Sequence, residues 1–143
     1  MKLFSSSARF IAIAVLFLGF ATAASADECK KYEVTAPPGT TLLTGNEINA
    51  MLSGNTVDAW SSGYRFYFAP DGNLTTEARD ARGRMLHGTW KICGDVLVME
   101  TRPFGGRILE RLVTVSTPDH VTVYELTGRR VAQWKIVKGK DFG

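Results

Sequence analysis

The residue types that most often perform catalysis are sparse in this sequence. Only two histidines are present, His87 and His120. His87 lies on the face of its predicted strand opposite Leu86 and Trp90, and His120 follows a turn, so both are interpreted as surface residues. The sequence contains no Gly-x-Ser-x-Gly, HExxH, phosphate-binding glycine or calcium-loop motif. We therefore predict no catalytic residues, no metal site and no cofactor, with carboxylates brought together by folding as the open alternative.

Arginine is the residue type that points to recognition of a partner. Residues 27–143 contain nine arginines and six lysines. The planar guanidinium suits carboxylates, phosphates and aromatic faces better than an ammonium group does. The predicted partner-binding residues are Arg65, Tyr67, Arg79, Arg82, Arg84, Arg102 and Arg107. The alternative interpretation is a solvated strand face, on which these arginines form local ion pairs with acidic neighbours such as Glu77 and Glu110.

The first 26 residues form a predicted signal peptide. Lys2 and Arg9 give a positively charged start, residues 10–24 are almost entirely apolar, and residues 24–26 (Ala-Ser-Ala) have the pattern of a signal peptidase site. The apolar run of about 15 residues is shorter than the roughly 20 that a membrane-spanning helix needs. We expect cleavage before Asp27 and export to the periplasm or the medium, with no stable membrane span. A retained N-terminal anchor is the alternative.

Removal of this leader changes the charge of the protein. The whole chain has a formal charge of +3 and a pI near 9.0, which by itself suggests a nucleic-acid partner. The leader carries two of these positive charges, so residues 27–143 have 15 basic and 14 acidic side chains. A domain so close to neutral is not expected to bind nucleic acid. The remaining charge is uneven, because residues 27–58 are net acidic and the rest is net basic.

The two cysteines, Cys29 and Cys93, are predicted to form a disulfide. An even cysteine count in an exported protein favours a disulfide over free thiols or a metal site, and no third metal ligand accompanies the pair. The bond would close a loop of 64 positions, for which chain entropy gives a stabilisation of about 4 kcal/mol. Its expected role is to attach the N-terminal tail to the domain.

One short helix and a series of strands are predicted between residues 27 and 143. Residues 27–43 are expected to be an extended tail, and residues 44–53 a helix that begins with a capping box of Thr44 and Glu47. Alternating apolar residues between turn motifs then predict seven strands over residues 57–138, or eight if residues 57–60 pair. The short connections favour an antiparallel up-and-down barrel or half-barrel over a sandwich.

One strand of this series contains a glycine and a tryptophan two positions apart. Gly88 is expected to let a neighbouring backbone or ring approach closely, and Trp90 to fill the core rather than serve as a ligand platform. Gly94-Asp95 is expected to form a tight hairpin turn after this strand.

Four segments carry a resemblance to known proteins. They are Leu-Thr-Gly-Asn-Glu-Ile at 43–48, Leu-Ser-Gly-Asn-Thr at 52–56, Tyr-Phe-Ala-Pro-Asp-Gly at 67–72 and Gly-Thr-Trp-Lys-Ile-Cys-Gly-Asp at 88–95. This pattern resembles short exported proteobacterial proteins of unknown function. Its Asp-Gly turn, Gly-x-Trp strand and Gly-Asp hairpin are also similar to small lipocalin-like barrels. The resemblance implies a small β-barrel and says almost nothing about activity.

These observations favour a non-enzymatic, exported binding module. Its expected partner is a protein, an envelope polysaccharide or another anionic molecule, held on a face with arginine and aromatic residues. Two alternatives remain open. A lipocalin-like carrier of a small apolar ligand requires a lined cavity in the barrel, and a small periplasmic hydrolase requires His87 or His120 beside a carboxylate in a cleft.

Overall fold

A computed structural model describes residues 29–79, 85–101 and 106–142. The predicted signal peptide lies outside the described residues, as do Arg82, Arg84 and Arg102 among the predicted partner-binding residues. The regular elements are α1 (Gly45–Leu52), β1 (Thr56–Ala59), a 3-10 turn (Trp60–Ser62), β2 (Tyr64–Phe68), β3 (Asn73–Ala78), β4 (Met85–Cys93), β5 (Val96–Thr101), β6 (Arg107–Thr117), β7 (His120–Tyr124) and β8 (Arg130–Val137).

The eight strands form one closed antiparallel barrel in sequence order. Each strand pairs with the next along the chain, and β8 closes the barrel by pairing with β1, where Val137 lies opposite Thr56. This confirms the predicted up-and-down barrel with one short helix. Closure of the barrel is physically favourable, because an open sheet of this size would expose its apolar face and two unpaired edges.

The inward-facing residues follow the alternation predicted from the sequence. Phe66 and Phe68 are buried on β2, and Trp90 and Trp134 are each only 6% exposed. The rings of Phe68 and Trp90 meet edge to face with centroids 5.3 Å apart, and the indole N–H of Trp90 donates to the Ala69 carbonyl oxygen at 2.8 Å. Large side chains therefore fill the barrel, and Trp90 is a core residue as predicted.

The glycine of the Gly-x-Trp strand has the role expected for it. A Cβ atom on Gly88 would overlap the carbonyl oxygen of Glu100 on β5. The two backbones therefore approach more closely at this point than any larger residue would permit. The Gly94-Asp95 hairpin is also confirmed, because Cys93 pairs with Val96 across these two residues and Gly94 has a φ of 60°.

Helix α1 packs its apolar face against the barrel core. Thr44 and Glu47 form the predicted capping box, with the Glu47 carboxylate accepting from the Thr44 backbone N–H at 2.8 Å. Ile48 and Leu52 are fully buried in the core cluster. A helix of eight residues is too short to be stable alone, so this burial holds it in place. Among the described residues, no helix has the length and apolar character needed to cross a membrane.

Residues 29–43, the N-terminal strap, cover the outer face of part of the barrel. The Cys29–Cys93 disulfide attaches one end of the strap to β4, as predicted. The backbone N–H of Thr35 donates to Leu126, and that of Leu43 donates to Val113. Beneath the strap lies a second apolar cluster, outside the barrel. Its buried members are Cys93, Val96, Val98 and Leu112, with Tyr32, Leu42, Tyr124 and Leu126 packed around them.

Residues 138–142, the C-terminal segment, fold back over the start of β1. The Thr56 hydroxyl donates to the Gly139 carbonyl oxygen at 2.7 Å and accepts from the Asp141 backbone N–H at 2.9 Å. The Asn55 side-chain oxygen accepts from the Gly139 N–H at 3.1 Å. These bonds bury Thr56, a polar residue on the outer face of the barrel, and satisfy its hydroxyl.

Candidate functional site

The strand order brings two sets of charged residues to opposite ends of the barrel. At one end β1, β3, β5 and β7 finish and the next strand of each pair begins. Arg79, Arg107, Arg129 and Arg130 lie there, and we call it the arginine end. At the other end the chain turns from β2 to β3, from β4 to β5 and from β6 to β7. Asp71, Asp95 and Asp119 lie in these three turns, and we call it the aspartate end.

Four exposed arginines occupy the strand ends at the arginine end. Arg79 follows β3 directly, Arg107 begins β6, and Arg129 and Arg130 lead into β8. Arg107 and Arg130 form no ion pair with any other residue in the described part of the chain. The side chains of these two arginines are therefore available to an outside partner.

Two arginines in this region, Arg129 and Arg111, interact with other residues of the protein. Arg129 donates from its Nε to a Glu125 carboxylate oxygen at 2.8 Å. This hydrogen bond is the main reason that the pKa of Glu125 lies below its usual value. Arg111 is half-buried on β6, and burial lowers the pKa of its guanidinium, while the nearby Glu125 carboxylate opposes that shift. Glu125 thus balances part of the positive charge at the arginine end.

The three aspartates at the aspartate end each accept hydrogen bonds from their own turn or from helix α1. Asp71 accepts from the backbone N–H of Asn73 at 3.0 Å and from its side-chain amide at 2.8 Å. Asp95 accepts from the backbone N–H of Gly45, at the first turn of α1, at 2.8 Å. The backbone hydrogen bond from Asn73 is the largest cause of the lowered pKa of Asp71.

Asp119 completes this set in the turn between β6 and β7. It accepts from the Thr117 hydroxyl at 2.9 Å, and one of its oxygens lies 2.8 Å from His120 Nδ1. The bond to His120, followed by the bond to Thr117, lowers the pKa of Asp119. These partners all lie within three positions along the chain, which is typical of an aspartate that shapes its own turn.

Two of the sequence-predicted partner residues lie on the outer wall rather than at the arginine end. Arg65 on β2 lies 3.8 Å from Asp58 on β1 and faces Glu77 on β3 across the sheet. Lys135 on β8 pairs with Asp58 on its other side. Arg65 therefore belongs to a row of alternating charges across four strands, which agrees with the solvated-face interpretation at this position.

Tyr67, on the same face of β2, is covered by the C-terminal segment. The Tyr67 ring meets the ring of Phe142 edge to face at 6.4 Å, and Lys140 Nζ lies 5.5 Å from the Tyr67 centroid. The predicted pair of Arg65 and Tyr67 is thus engaged within the chain. Of the predicted set, the described residues at the arginine end are Arg79 and Arg107.

The two histidines lie on the surface, in separate settings. His87 is exposed on the outer face of β4, opposite Thr75. His120 has a carboxylate neighbour in Asp119, yet both belong to one tight turn that projects into solvent. Within the described ranges, no group of three or more His, Cys, Asp or Glu side chains is placed to hold a metal ion.

Sequence reasoning did not include Arg129 and Arg130 in the candidate site. Their signal is positional, because both lie in the last turn of the strand series and so must reach the same end as Arg79 and Arg107 once the barrel closes. No protein-family model, curated protein or solved structure matches the chain. The assignment of the candidate site therefore rests on the geometry of its residues alone.

Proposed function

We propose that this protein is an exported, non-enzymatic binding module that holds an anionic partner at its arginine end. The partner would present carboxylate or phosphate groups, as an acidic polysaccharide or an acidic protein surface does. Arg79, Arg107 and Arg130 would make the contacts, with Arg107 and Arg130 the most direct because neither has an ion-pair partner among the described residues. Export itself remains the prediction made from the signal sequence and is compatible with the disulfide.

One observation carries this proposal. The three turn aspartates at the opposite end accept hydrogen bonds from their own turns or from α1, whereas two arginines at this end are exposed without a counter-charge among the described residues. Exposed arginines at one end of a nearly neutral domain create a local positive field. Such a field steers anionic partners and orients them, even where each single contact contributes little.

The proposal is tested by the affinity for a simple polyanion, such as polygalacturonate, at low ionic strength. The variant Arg107→Gln with Arg130→Gln removes two exposed charges. We expect it to weaken binding about tenfold, at roughly 0.5–1 kcal/mol for each exposed contact. Affinity should also fall as salt is added, because exposed charges are screened.

A matched control removes two positive charges elsewhere. Lys138 and Lys140 are both exposed and follow β8 at the aspartate end, and Lys138→Gln with Lys140→Gln gives the same net charge as the arginine double variant. Binding within twofold of the unchanged protein is expected for this control. An equal loss in both double variants would mean that net charge alone governs binding, and it would contradict a localised site.

No specific observation favours either alternative function. The barrel axis is filled by Phe66, Phe68, Trp90 and Trp134, which gives no support to a carrier of apolar ligands. His120 and Asp119 are neighbours on an exposed turn rather than in a cleft, which gives no support to a hydrolase.

A further inference from the structure

A long polar cleft lies at the aspartate end and continues onto the outer wall of the barrel. Its first part, about 650 Å³, lies between α1 and the turns that follow β2 and β4. Its second part, about 540 Å³, lies over the outer faces of β4, β5 and β6 beside the N-terminal strap. Both parts are lined by Asp71, Gly72, Trp90 and Lys91, so they adjoin each other, and we call the two together the polar cleft.

The lining of the polar cleft mixes apolar surface with several side chains that can both donate and accept hydrogen bonds. Asn46 and Asn49 are exposed on α1, three positions apart and therefore on one face of the helix. Asn73 and Thr89 line the second part. A side-chain amide offers two donors and an acceptor, and a hydroxyl offers one donor and two acceptor sites. These groups match a ligand whose own groups are also both donors and acceptors.

The charge of the cleft argues against an anionic ligand. The ionisable groups that line it are the carboxylates of Asp71, Asp95, Glu100 and Glu110 and the ammonium groups of Lys30 and Lys91. Lys30 Nζ lies 3.4 Å from Glu110, so these two charges largely offset each other. The remainder is net negative and would repel an acidic chain. The cleft and the arginine end therefore suit ligands of different charge.

An extended peptide is also a poor match. Strand addition requires an unpaired sheet edge, whereas the barrel is closed and β4, β5 and β6 each pair with a strand on both sides. The aliphatic side chains that line the second part are Val98, only 5% exposed beneath the strap, and Ile108, which is 60% exposed on the outer face of β6 and so encloses no pocket. A peptide would thus find neither backbone partners nor a deep apolar pocket.

We propose that the polar cleft binds an uncharged oligosaccharide. Sugar hydroxyls would exchange hydrogen bonds with Asn46 and Asn49 in the first part and with Asn73 and Thr89 in the second. The two parts adjoin at Gly72, which has no side chain to separate them, so the proposed ligand is a chain of several sugar units rather than a single sugar. This site is separate from the arginine end and does not depend on the proposed function.

The test is a titration of ¹⁵N-labelled protein with two uncharged probes, tetra-N-acetylchitotetraose and maltotetraose, monitored by amide chemical shifts. We expect at least one probe to shift the amides of α1, of Asp71 to Asn73 and of Thr89 to Lys91 in a saturable manner. Galacturonate tetramer, of similar length but acidic, should leave these amides unshifted. Shifts with neither uncharged probe, or stronger shifts of the cleft amides with the acidic tetramer, would overturn the proposal.

A variant and a matched control locate the site. Asn46→Ala with Asn49→Ala removes two amides from exposed helix positions, where alanine favours the helix, so the protein should fold normally. Affinity for the responding probe should fall about tenfold, because both amide hydrogen bonds to the sugar are lost. Gln133→Ala removes an exposed amide from the outer face of β8 and should leave affinity within twofold. Unchanged affinity in the double variant would contradict the assignment.

Discussion

The two ends of the barrel use their charged residues differently. At the aspartate end, Asp71, Asp95 and Asp119 accept hydrogen bonds from the turns or the helix beside them. At the arginine end, Arg107 and Arg130 are exposed and have no ion-pair partner among the described residues. The aspartates at the first end support the local structure, whereas Arg107 and Arg130 at the second are expected to contribute little to stability.

This difference shows that charged residues on a surface can serve either the stability of the fold or the binding of a partner. A run of acidic or basic residues in a sequence says nothing about whether those residues are used within the chain. The hydrogen bonds show which charged residues are used within the chain, because a carboxylate that accepts from a backbone N–H supports the local structure. Substitutions at the aspartate end should therefore change stability, and substitutions at the arginine end should change binding.

The largest expected effect at the aspartate end comes from Gly45→Ala. A Cβ at this position would overlap the Gly94 carbonyl oxygen and come within 2.8 Å of Ile92 Cγ2. Helix α1 would have to move away from the turn, so we expect a loss of about 2 kcal/mol in the free energy of unfolding. Chemical denaturation measures it, with Asn46→Ala, at the next and exposed helix position, as the control. Equal stability of the two variants would show that α1 is not held tightly against this turn.

Removal of the Asp95 carboxylate should have the next largest effect. Asp95→Ala leaves the Gly45 N–H without its acceptor and removes a negative charge near the start of α1. A loss of about 1 kcal/mol in unfolding free energy is expected, as for other lost helix caps. Glu100→Ala provides the comparison, because Glu100 is an exposed carboxylate with no ion pair to the rest of the described chain. A loss of similar size in Glu100→Ala would contradict a stabilising role that is specific to the Asp95 carboxylate.

Acid should weaken the aspartate end through Asp71 and Asp119. Hydrogen bonds lower the pKa of both carboxyls in the folded protein. The unfolded chain therefore binds protons first as pH falls, so the stabilisation is present above the ordinary pKa and is lost as pH falls through the lowered values. We expect urea midpoints to decline below about pH 4. The decline should be shallower in Asp119→Asn, and an identical decline in both proteins would be inconsistent with this origin.

The smallest expected effect on stability is at the arginine end. Arg107→Gln with Arg130→Gln removes exposed side chains that have no described ion-pair partner. The free energy of unfolding should change by no more than about 0.5 kcal/mol. Thermal unfolding of this double variant and of Asp95→Ala, measured under the same conditions, compares the two ends directly. A larger loss from the arginine pair would mean that these residues are structural as well.

Much of the barrel could be predicted from the sequence because its inner face follows a strict period of two. Phe66, Phe68 and Trp134 are buried where the alternation places them. The outer cluster was not predicted, since it depends on where the N-terminal strap lies. A signal was nevertheless present in β5, where Val96 to Met99 are four consecutive apolar residues without alternation. Such a run indicates a strand buried on both faces.

The candidate site was harder to predict, because it depends on contacts between distant parts of the chain. Arg65 and Tyr67 share a strand face, as expected, but the positions of Asp58 and Phe142 decide whether that face is free. Neither contact can be inferred from spacing along the chain. Conversely, Arg130 becomes a site residue only because closure of β8 onto β1 completes the ring of strand ends.

The most direct test of the account is to map where a polyanion contacts the protein. Polygalacturonate titrated into ¹⁵N-labelled protein at low salt should shift the backbone amides of Ala78, Arg79, Arg107 and residues 124–130, at the arginine end. Amides of Asp71, Asp95 and Asp119 should keep their positions, because their carboxylates face the solvent at the opposite end. Shifts concentrated at the aspartate end, or spread evenly over the barrel, would contradict a binding site at the arginine end.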